Sequence, residues 1–502
     1  MAEPARMDRR CFLRVAGAAA GGALLAGGCA GPAEAPRPGA GDRPNILFCI
    51  ADDWGWPHAA LFGDKVVQTP TFERVARDGV LLPHTYCAAP SCTPSRGSIL
   101  TGQMFYRLED GACLWSTLPA KFPVYTDLLE AAGYHVGCTR KGWGPGSVRA
   151  GGRTRNAAGR PYKNFGAFLA AAPADRPFCF WFGSHEPHRG YVAGSGAAGG
   201  MRPEDVQVPP IWPDAPEVRR DILDYYLEVQ QYDRQVGDLL EQLQAAGRLD
   251  NTLVVMTSDN GCPFPRCKTN LYDMGTRMPT AAMWPGRVGG GRVVDDFVSF
   301  TDFAPTFLEA AGLPVPEAMT GRSFLDVLSS GKGGRVDAAR DHVVTGRERH
   351  HGGARPGRRG YPMRALRTHD YLYIRNYEPD RWPAGDPECR VEGGGTFDYA
   401  DVDGGPTKTY MLRHREDPAV GPLFDLSFGK RPAEELYDCR NDPHQMKNLA
   451  ADPACADVRA RLAERLASYL KRTADPRAAG RGDVFDTYRY YGGLGEKKRP
   501  RT

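Results

Sequence analysis

Four short, almost unbroken apolar runs constrain this chain more than any other feature. They are Asn45-Ile46-Leu47-Phe48-Cys49-Ile50-Ala51, Tyr134 to Thr139, Phe178 to Gly183 and Thr252 to Thr257. Runs of this length without polar alternation suit strands covered on both faces. Helical patterns lie between them, at Thr71 to Arg77, Ser95 to Leu100, Val124 to Ala132 and Asp221 to Ala246. That alternation predicts an α/β sandwich around a mostly parallel sheet. Parallel strands end on one edge, and ligands collect beyond it. Every run here ends in polar or charged residues: Asp52-Asp53, Arg140-Lys141, Ser184-His185 and Ser258-Asp259-Asn260. A site built from those four ends is the expectation.

The rest of the chain sets bounds. With 502 residues, 41% hydrophobic and 10% aromatic, it can bury a large core, which excludes wholesale disorder. A net charge of +4 is too near neutral for a dedicated nucleic-acid binder. Past about residue 335 the pattern changes. Arg347 to Arg359 is basic and Gly-rich, Tyr361 to Tyr377 alternates like strands, and Val458 to Lys471 reads as an amphipathic helix. The expected division is residues 1–41 as leader and linker, 42–335 as the α/β domain, 336–475 as a smaller α+β domain, and 476–502 as a polar, basic tail.

The leader carries Asp8-Arg9-Arg10-Cys11-Phe12-Leu13-Arg14 before the small-residue apolar run Val15 to Ala26. This reads as a twin-arginine export signal, with Met7 an alternative start. Cys29 is a candidate lipid-anchored cysteine; cleavage after Ala33-Glu34-Ala35 is the alternative. The expected location is periplasmic, free or as a membrane-anchored lipoprotein. Of 13 cysteines, the eleven beyond the leader are scattered without a CxxC pair, which argues against a zinc ribbon. Cys262 and Cys267 are near enough in sequence to consider as a disulfide.

One cysteine stands apart, in Cys92-Thr93-Pro94-Ser95-Arg96-Gly97-Ser98-Ile99-Leu100-Thr101-Gly102. Thr93 fits an N-cap and Pro94 the first helical position. Cys92 would then sit at a helix N-terminus, which favours an anion, with Arg96 adding positive charge one turn in. A capped helix preceded by a buried cysteine explains the spacing equally well.

Cys-x-Pro-Ser-Arg followed by Leu-Thr-Gly resembles the signature of the type I sulfatases, in which the cysteine is oxidised to formylglycine. The resemblance extends from about residue 44 to 475. It includes Pro44-Asn45-Ile46 through Asp52-Asp53-Trp54-Gly55, then Ser258-Asp259-Asn260-Gly261, Lys268-Thr269-Asn270-Leu271-Tyr272 and Arg277-Met278-Pro279. It implies an alkaline-phosphatase-like α/β/α sandwich with a smaller C-terminal α+β domain. It also implies one Ca²⁺ per chain, held by Asp52, Asp53, Asp259, Asn260 and residue 92, a hard-oxygen set. A formylglycine-generating enzyme would be a partner during maturation. In the family's scheme the hydrated aldehyde at position 92 attacks sulfur, and Arg96, Lys141 and Lys268 neutralise the sulfuryl oxygens. His185 is the first candidate for the acid that protonates the leaving group.

Within that family the chain looks most like the heparan N-sulfatases. Asp259 to Pro265, His185-Glu186-Pro187-His188-Arg189, Tyr361-Pro362-Met363-Arg364 and Glu435-Leu436-Tyr437-Asp438 carry the likeness. The implied substrate is the N-sulfate of a glucosamine in heparin-type glycans, with His188, Glu348, Arg349 and His350 as candidate sugar contacts. Two departures stand out. Lys268 replaces an arginine, which keeps the charge but loses the fork. Trp143 stands in Lys141-Gly142-Trp143 where relatives carry a histidine base. Two basic groups, Arg149, Arg153, Arg155, Arg160 and Arg347, Arg349, Arg355, Arg358, Arg359, are either a polyanion grip or a solvated surface. Three alternatives stand beside N-desulfation: an O-sulfatase on another glycan, a phosphonate or phosphate ester hydrolase, and a non-catalytic glycan-binding lipoprotein.

Overall fold

The computed structural model describes residues 43–391, 395–396 and 398–493. The export signal, the Cys29 anchor and the basic end Glu496 to Arg499 lie outside the described residues. Strand β1 (Asn45–Ala51) is buried at all seven positions. Its side chains alternate between two cores. Leu47, Cys49 and Ala51 enter one; Ile46, Phe48 and Ile50 enter the other. An apolar run therefore satisfies both faces of a central strand, at about 1.5–3 kcal/mol for each fully buried Ile, Leu or Phe.

Strands β2 (His135–Arg140), β3 (Phe178–Gly183) and β4 (Thr252–Ser258) repeat the pattern. The eight-stranded sheet runs Arg292–Val293, Val80–Leu81, Ala281–Met283, β4, β1, β3, β2, Arg160–Pro161. β1 pairs in parallel with both β3 and β4, and β3 with β2. Only Ala281–Met283 runs antiparallel to its neighbours. The register sets Ile50 beside Gly183, Ala51 beside Ser258 and Arg140 beside Gly183, so the four polar ends emerge side by side.

Helices cover both faces. Helix α2 (Pro216–Ala245) buries Ile222, Tyr225, Val229, Tyr232, Val236 and Leu240 in the first core. Helix α1 (Cys92–Thr101) adds Ile99 and Leu100 to the second. A separate four-stranded antiparallel sheet follows: β5 (His342–Arg347), β6 (Met363–Thr368), β7 (Tyr371–Asn376) and β8 (Glu434–Asp438), paired in that order. Helix α3 (Ala456–Arg472) packs Leu462, Leu466 and Leu470 on one face of it. On the other face, Met363, Ala365, Leu372 and Ile374 meet Leu271 and Tyr272, which follow β4. The small sheet thus buttresses the chain just past the predicted site. Phe485 and Tyr490 of the later segment are also buried. All eleven described cysteines are free thiols, Cys262 and Cys267 among them.

Candidate active site

Helix α1 begins at Cys92, with Ser91 as N-cap, so it starts two residues before the Thr93–Pro94 expectation. Pro94 is then its third residue, still inside the first turn, where no intrahelical partner awaits its missing N–H. Ser91 does not cap with its side chain; its hydroxyl is 2.8 Å from His350 Nδ1. All ten residues of α1 are buried. A helix this polar stays buried only if its polar groups find partners. Thr93 donates to the Pro145 carbonyl and Ser95 to the Asp259 carbonyl.

Arg96 is the hub. Its Nε donates to Asp259 Oδ2 at 2.7 Å, Nη1 to the carbonyls of Lys141 (2.7 Å) and Gly142 (3.0 Å), and Nη2 to that of Ala51 (3.3 Å). One fully buried guanidinium therefore ties the ends of β1, β2 and β4 together. The other two predicted cations also meet carboxylates. Lys141 Nζ lies 2.5 Å from Asp52 Oδ2, and Lys268 Nζ lies 2.8 Å from Asp53 Oδ2. Lys268 reaches a second acid, Asp403 Oδ2, at 3.0 Å. Nothing in the spacing of the sequence points to Asp403; the small sheet and the segment between β7 and β8 bring it there.

Asp52, Asp53, Asp259 and Cys92 each offer a ligand atom, and the four lie within 4.8 Å of one another, all buried. The Cys92 thiol donates to Asp52 Oδ1 at 3.4 Å. Asp53 has a left-handed φ of 77°, which aspartate tolerates better than most residues. Its N–H donates to Asp259 Oδ1 and its carbonyl accepts from Tyr225 of α2, so the turn is held at both ends. The Asn260 amide donates to Asp53 Oδ1 at 2.7 Å, yet its Oδ1 is buried without a hydrogen-bond partner. Three carboxylates and an orphaned amide oxygen fit a hard divalent cation such as Ca²⁺. The predicted metal residues are thus assembled, and they can hold an ion.

Charge decides the protonation states. Burial raises the Asp52 carboxyl, but Lys141 and Arg96 more than reverse it and leave it below the usual range. Asp53 is raised by burial, only partly offset by Lys268. Burial pulls Lys141 down, and Asp52 pushes it back up to about 12, so it stays charged. The Cys92 thiol is pushed up by burial and by Asp259, so it is a neutral thiol here.

A cavity of about 720 Å³ opens beside this cluster, lined in part by Asp52, Lys141, His185, Glu186, His188 and Arg189. His185 is exposed in it, with its pKa lowered by burial against the opposing pull of Asp52. His188 Nε2 is 4.0 Å from Asp53 Oδ2. His350 joins the cluster through Ser91. Glu348 does not: its carboxylate is buried against Arg364 and Arg477. Arg349 is buried and donates to the Arg489 carbonyl. Several arginines of the basic groups are likewise engaged by acids, at the surface in the first group and inside the fold in the second. Arg153 and Arg155 pair with Asp127, and Arg347 and Arg355 pair with buried Asp401. Trp143 is buried, wedged between Gly97 of α1 and Gly146, where a Cβ would come 3.7 Å and 2.8 Å from its ring. Its indole N–H has no partner. It packs against the Cys92 helix at the wall of the cavity, and its indole supplies no base.

Comparison with known proteins matches this geometry. The sulfatase family model matches residues 44–313, and that of the N-sulphoglucosamine sulphohydrolase C-terminal region matches residues 267–383. The chain is 30% identical over 490 residues to the N-sulphoglucosamine sulphohydrolase of Homo sapiens, covering 86% of this chain and 91% of that protein. It is 27% identical over 485 residues to an ulvan-active sulfatase of Formosa agariphila, covering 86% and 76% respectively. Among solved structures, one in complex with its substrate D-glucosamine-2-N,6-O-disulfate superposes with a TM-score of 0.62 at 19% identity, over 86% of this chain and 98% of that one. That likeness speaks for the alkaline-phosphatase-like fold. The family match over more than half the chain speaks for the chemistry: this chain belongs to the sulfatase family, hydrolases that act on sulfate esters or sulfamates of sulfated sugars.

Proposed function

We propose that this protein hydrolyses the N-sulfate of a glucosamine residue in a heparin-type glycan, with Cys92 converted to formylglycine and Ca²⁺ bound at Asp52, Asp53, Asp259 and Asn260. The observation that carries the reading is the buried convergence of three acids and Cys92 within 4.8 Å, with a cation paired to each acid. Support for the N-sulfate comes from the C-terminal match over residues 267–383 and the 30% identical human relative.

When present, Ca²⁺ and the oxidised side chain would supply an acidic oxygen nucleophile at position 92. The chain's own residues do the rest. Four acids (Asp52, Asp53, Asp259, Asp403) face three fixed cations (Arg96, Lys141, Lys268), so with a divalent ion bound the slightly negative cluster would become slightly positive and would favour a sulfate. Lys141, beside the cavity, and Lys268 offer ammonium donors to the sulfuryl oxygens. Arg96 has its donors engaged and positions Asp259 and the strand ends. His185, exposed in the cavity, is placed to protonate the leaving nitrogen.

The ulvan-active relative at 27% identity favours a second reading, an O-sulfatase on another glycan. Release of sulfate from N-sulfoglucosamine, compared with that from 6-O-sulfated N-acetylglucosamine and ulvan fragments and with release of the phenol from an aryl phosphonate, separates the readings. Preferential release from the O-sulfated sugars would refute N-desulfation. Mass across the Cys92 peptide tests the oxidation, whose expected loss is about 18 Da. We further propose maturation by a formylglycine-generating enzyme, then twin-arginine export to the periplasm, on the strength of Arg9-Arg10 before Val15 to Ala26.

A further inference from the structure

Trp115 has no part in the chemistry above, yet it lines the same cavity as Lys141 and His185. Its neighbours are buried, Leu114 at 6% and Ser116 at 0% exposure, while Trp115 itself is 36% exposed. It is the one aromatic among the exposed large hydrophobic residues described. Its φ is +53°, in the left-handed region that bulky side chains rarely adopt. The backbone is held there from three sides. Leu114 N–H donates to the Arg349 carbonyl at 3.0 Å, and Tyr491 N–H donates to the Trp115 carbonyl at 2.7 Å. Ser147, in the loop after β2, donates its N–H to the Ser116 carbonyl at 2.8 Å. Strain of this kind, over-determined by its surroundings and beside a reaction centre, belongs with function.

The remaining lining names the occupant. Arg140, Lys141, His185, Glu186, His188, Arg189 and Glu228 supply charge and hydrogen bonds. Trp143 also lines the cavity, but it is only 4% exposed, whereas Trp115 at 36% has a ring face open to an occupant. A pyranose has polar edges and an apolar face of axial C–H groups, so it matches one exposed indole set beside charged side chains. Indole is large and stiff, and little entropy is lost on stacking against it. The cavity's volume of about 720 Å³ admits more than a sulfate group.

We propose that Trp115 is the platform on which a pyranose ring of the substrate stacks, making it a specificity-determining residue that favours sulfated saccharides over small sulfate esters. The inference rests on the sugar-desulfation reading above and adds a residue to it. The test compares wild type with Trp115→Ala, Trp115→Leu and Trp115→Phe on a sulfated disaccharide, with inorganic sulfate as competitive inhibitor. Trp115→Ala should raise KM about tenfold with kcat within about twofold, since a stacked aromatic is worth roughly that ratio. The inhibition constant of sulfate should not move, because the anion pocket is intact. Trp115→Leu, which keeps apolar bulk without a flat ring, should behave like alanine, and Trp115→Phe should recover most of the loss. Sulfate release with unchanged KM in Trp115→Ala and Trp115→Leu would overturn the platform and leave the sugar reading standing. A wild-type protein that cleaves an aryl sulfate but neither binds nor desulfates any saccharide would overturn the sugar reading, and the platform with it.

Discussion

Arg96 offers the sharpest test of how the strand ends are held together. Replacing it with methionine keeps most of the volume but removes every donor. Asp259, with no side-chain exposure, then loses its partner at 2.7 Å. Breaking a buried pair from one side costs about 3–5 kcal/mol, because the remaining charge is stranded. The carbonyls of Ala51 and Gly142 lose a donor as well, at about 1–3 kcal/mol for each buried group left unmade, while that of Lys141 keeps the Trp181 indole N–H. The terms overlap, so a loss of about 4–7 kcal/mol is the expectation. Arg96→Lys keeps the charge, but one ammonium cannot span three strand ends; it should fall about midway. Thermal melting of Arg96→Met, with and without Ca²⁺, reads both effects. Ca²⁺ should restore more melting temperature to the methionine variant than to wild type, since the ion compensates the stranded Asp259. A methionine variant that melts with wild type would refute the account of Arg96 as the clamp.

The other predictions concern histidines and Trp143. His350 is buried, and burial drops its pKa to about 3 against 6.5 when free, so the native state binds fewer protons between those values. Its contribution is complete above pH 6.5 and is lost as pH falls toward 3, on the order of 4–5 kcal/mol at most. His350→Gln should flatten the fall of melting temperature across that window; an unchanged slope would count against it. His185 titrates below 6.5, so its protonated fraction shrinks as pH rises through that lowered value. The kcat–pH profile on N-sulfoglucosamine should fall toward neutral pH, and His185→Gln should abolish that limb. Trp143→His installs the histidine that the family resemblance leads one to expect, yet its site is a packed wedge. It should destabilise by an amount approaching the about 3–5 kcal/mol of full truncation, and turnover should not rise. A faster enzyme would show that a histidine in this wall of the cavity can act as the base.

The parts of the fold legible in the sequence were those with one dominant pattern. β1 to β4 are central strands, buried on both faces, so hydrophobicity alone marks them. The site followed because parallel strands must present their ends together. Arg347 reads in the sequence as the first residue of a basic, Gly-rich stretch, yet it closes β5 and is buried against Asp401, a partner that only the tertiary fold supplies. Glu348 and Arg349 resemble sugar contacts in the sequence for the same reason: Arg477 and Arg489, which help to engage them, lie more than a hundred positions away. Asp403 was invisible because one aspartate in a loop has no periodicity. Helix α1 was placed two residues late because cap statistics favour Thr93, whereas Ser91 sits there with its hydroxyl turned to His350.

The complete enclosure of helix α1 also bears on how the enzyme is made. A modifying enzyme cannot grip residue 92 once ten consecutive positions around it are sealed. On the proposed conversion of Cys92 to formylglycine, oxidation and collapse of the sheet compete in time, and the winner determines whether a given molecule can turn over substrate. Variants engineered to fold faster should emerge with a larger fraction of intact thiol, so a gain in folding speed would show up as a loss of specific activity.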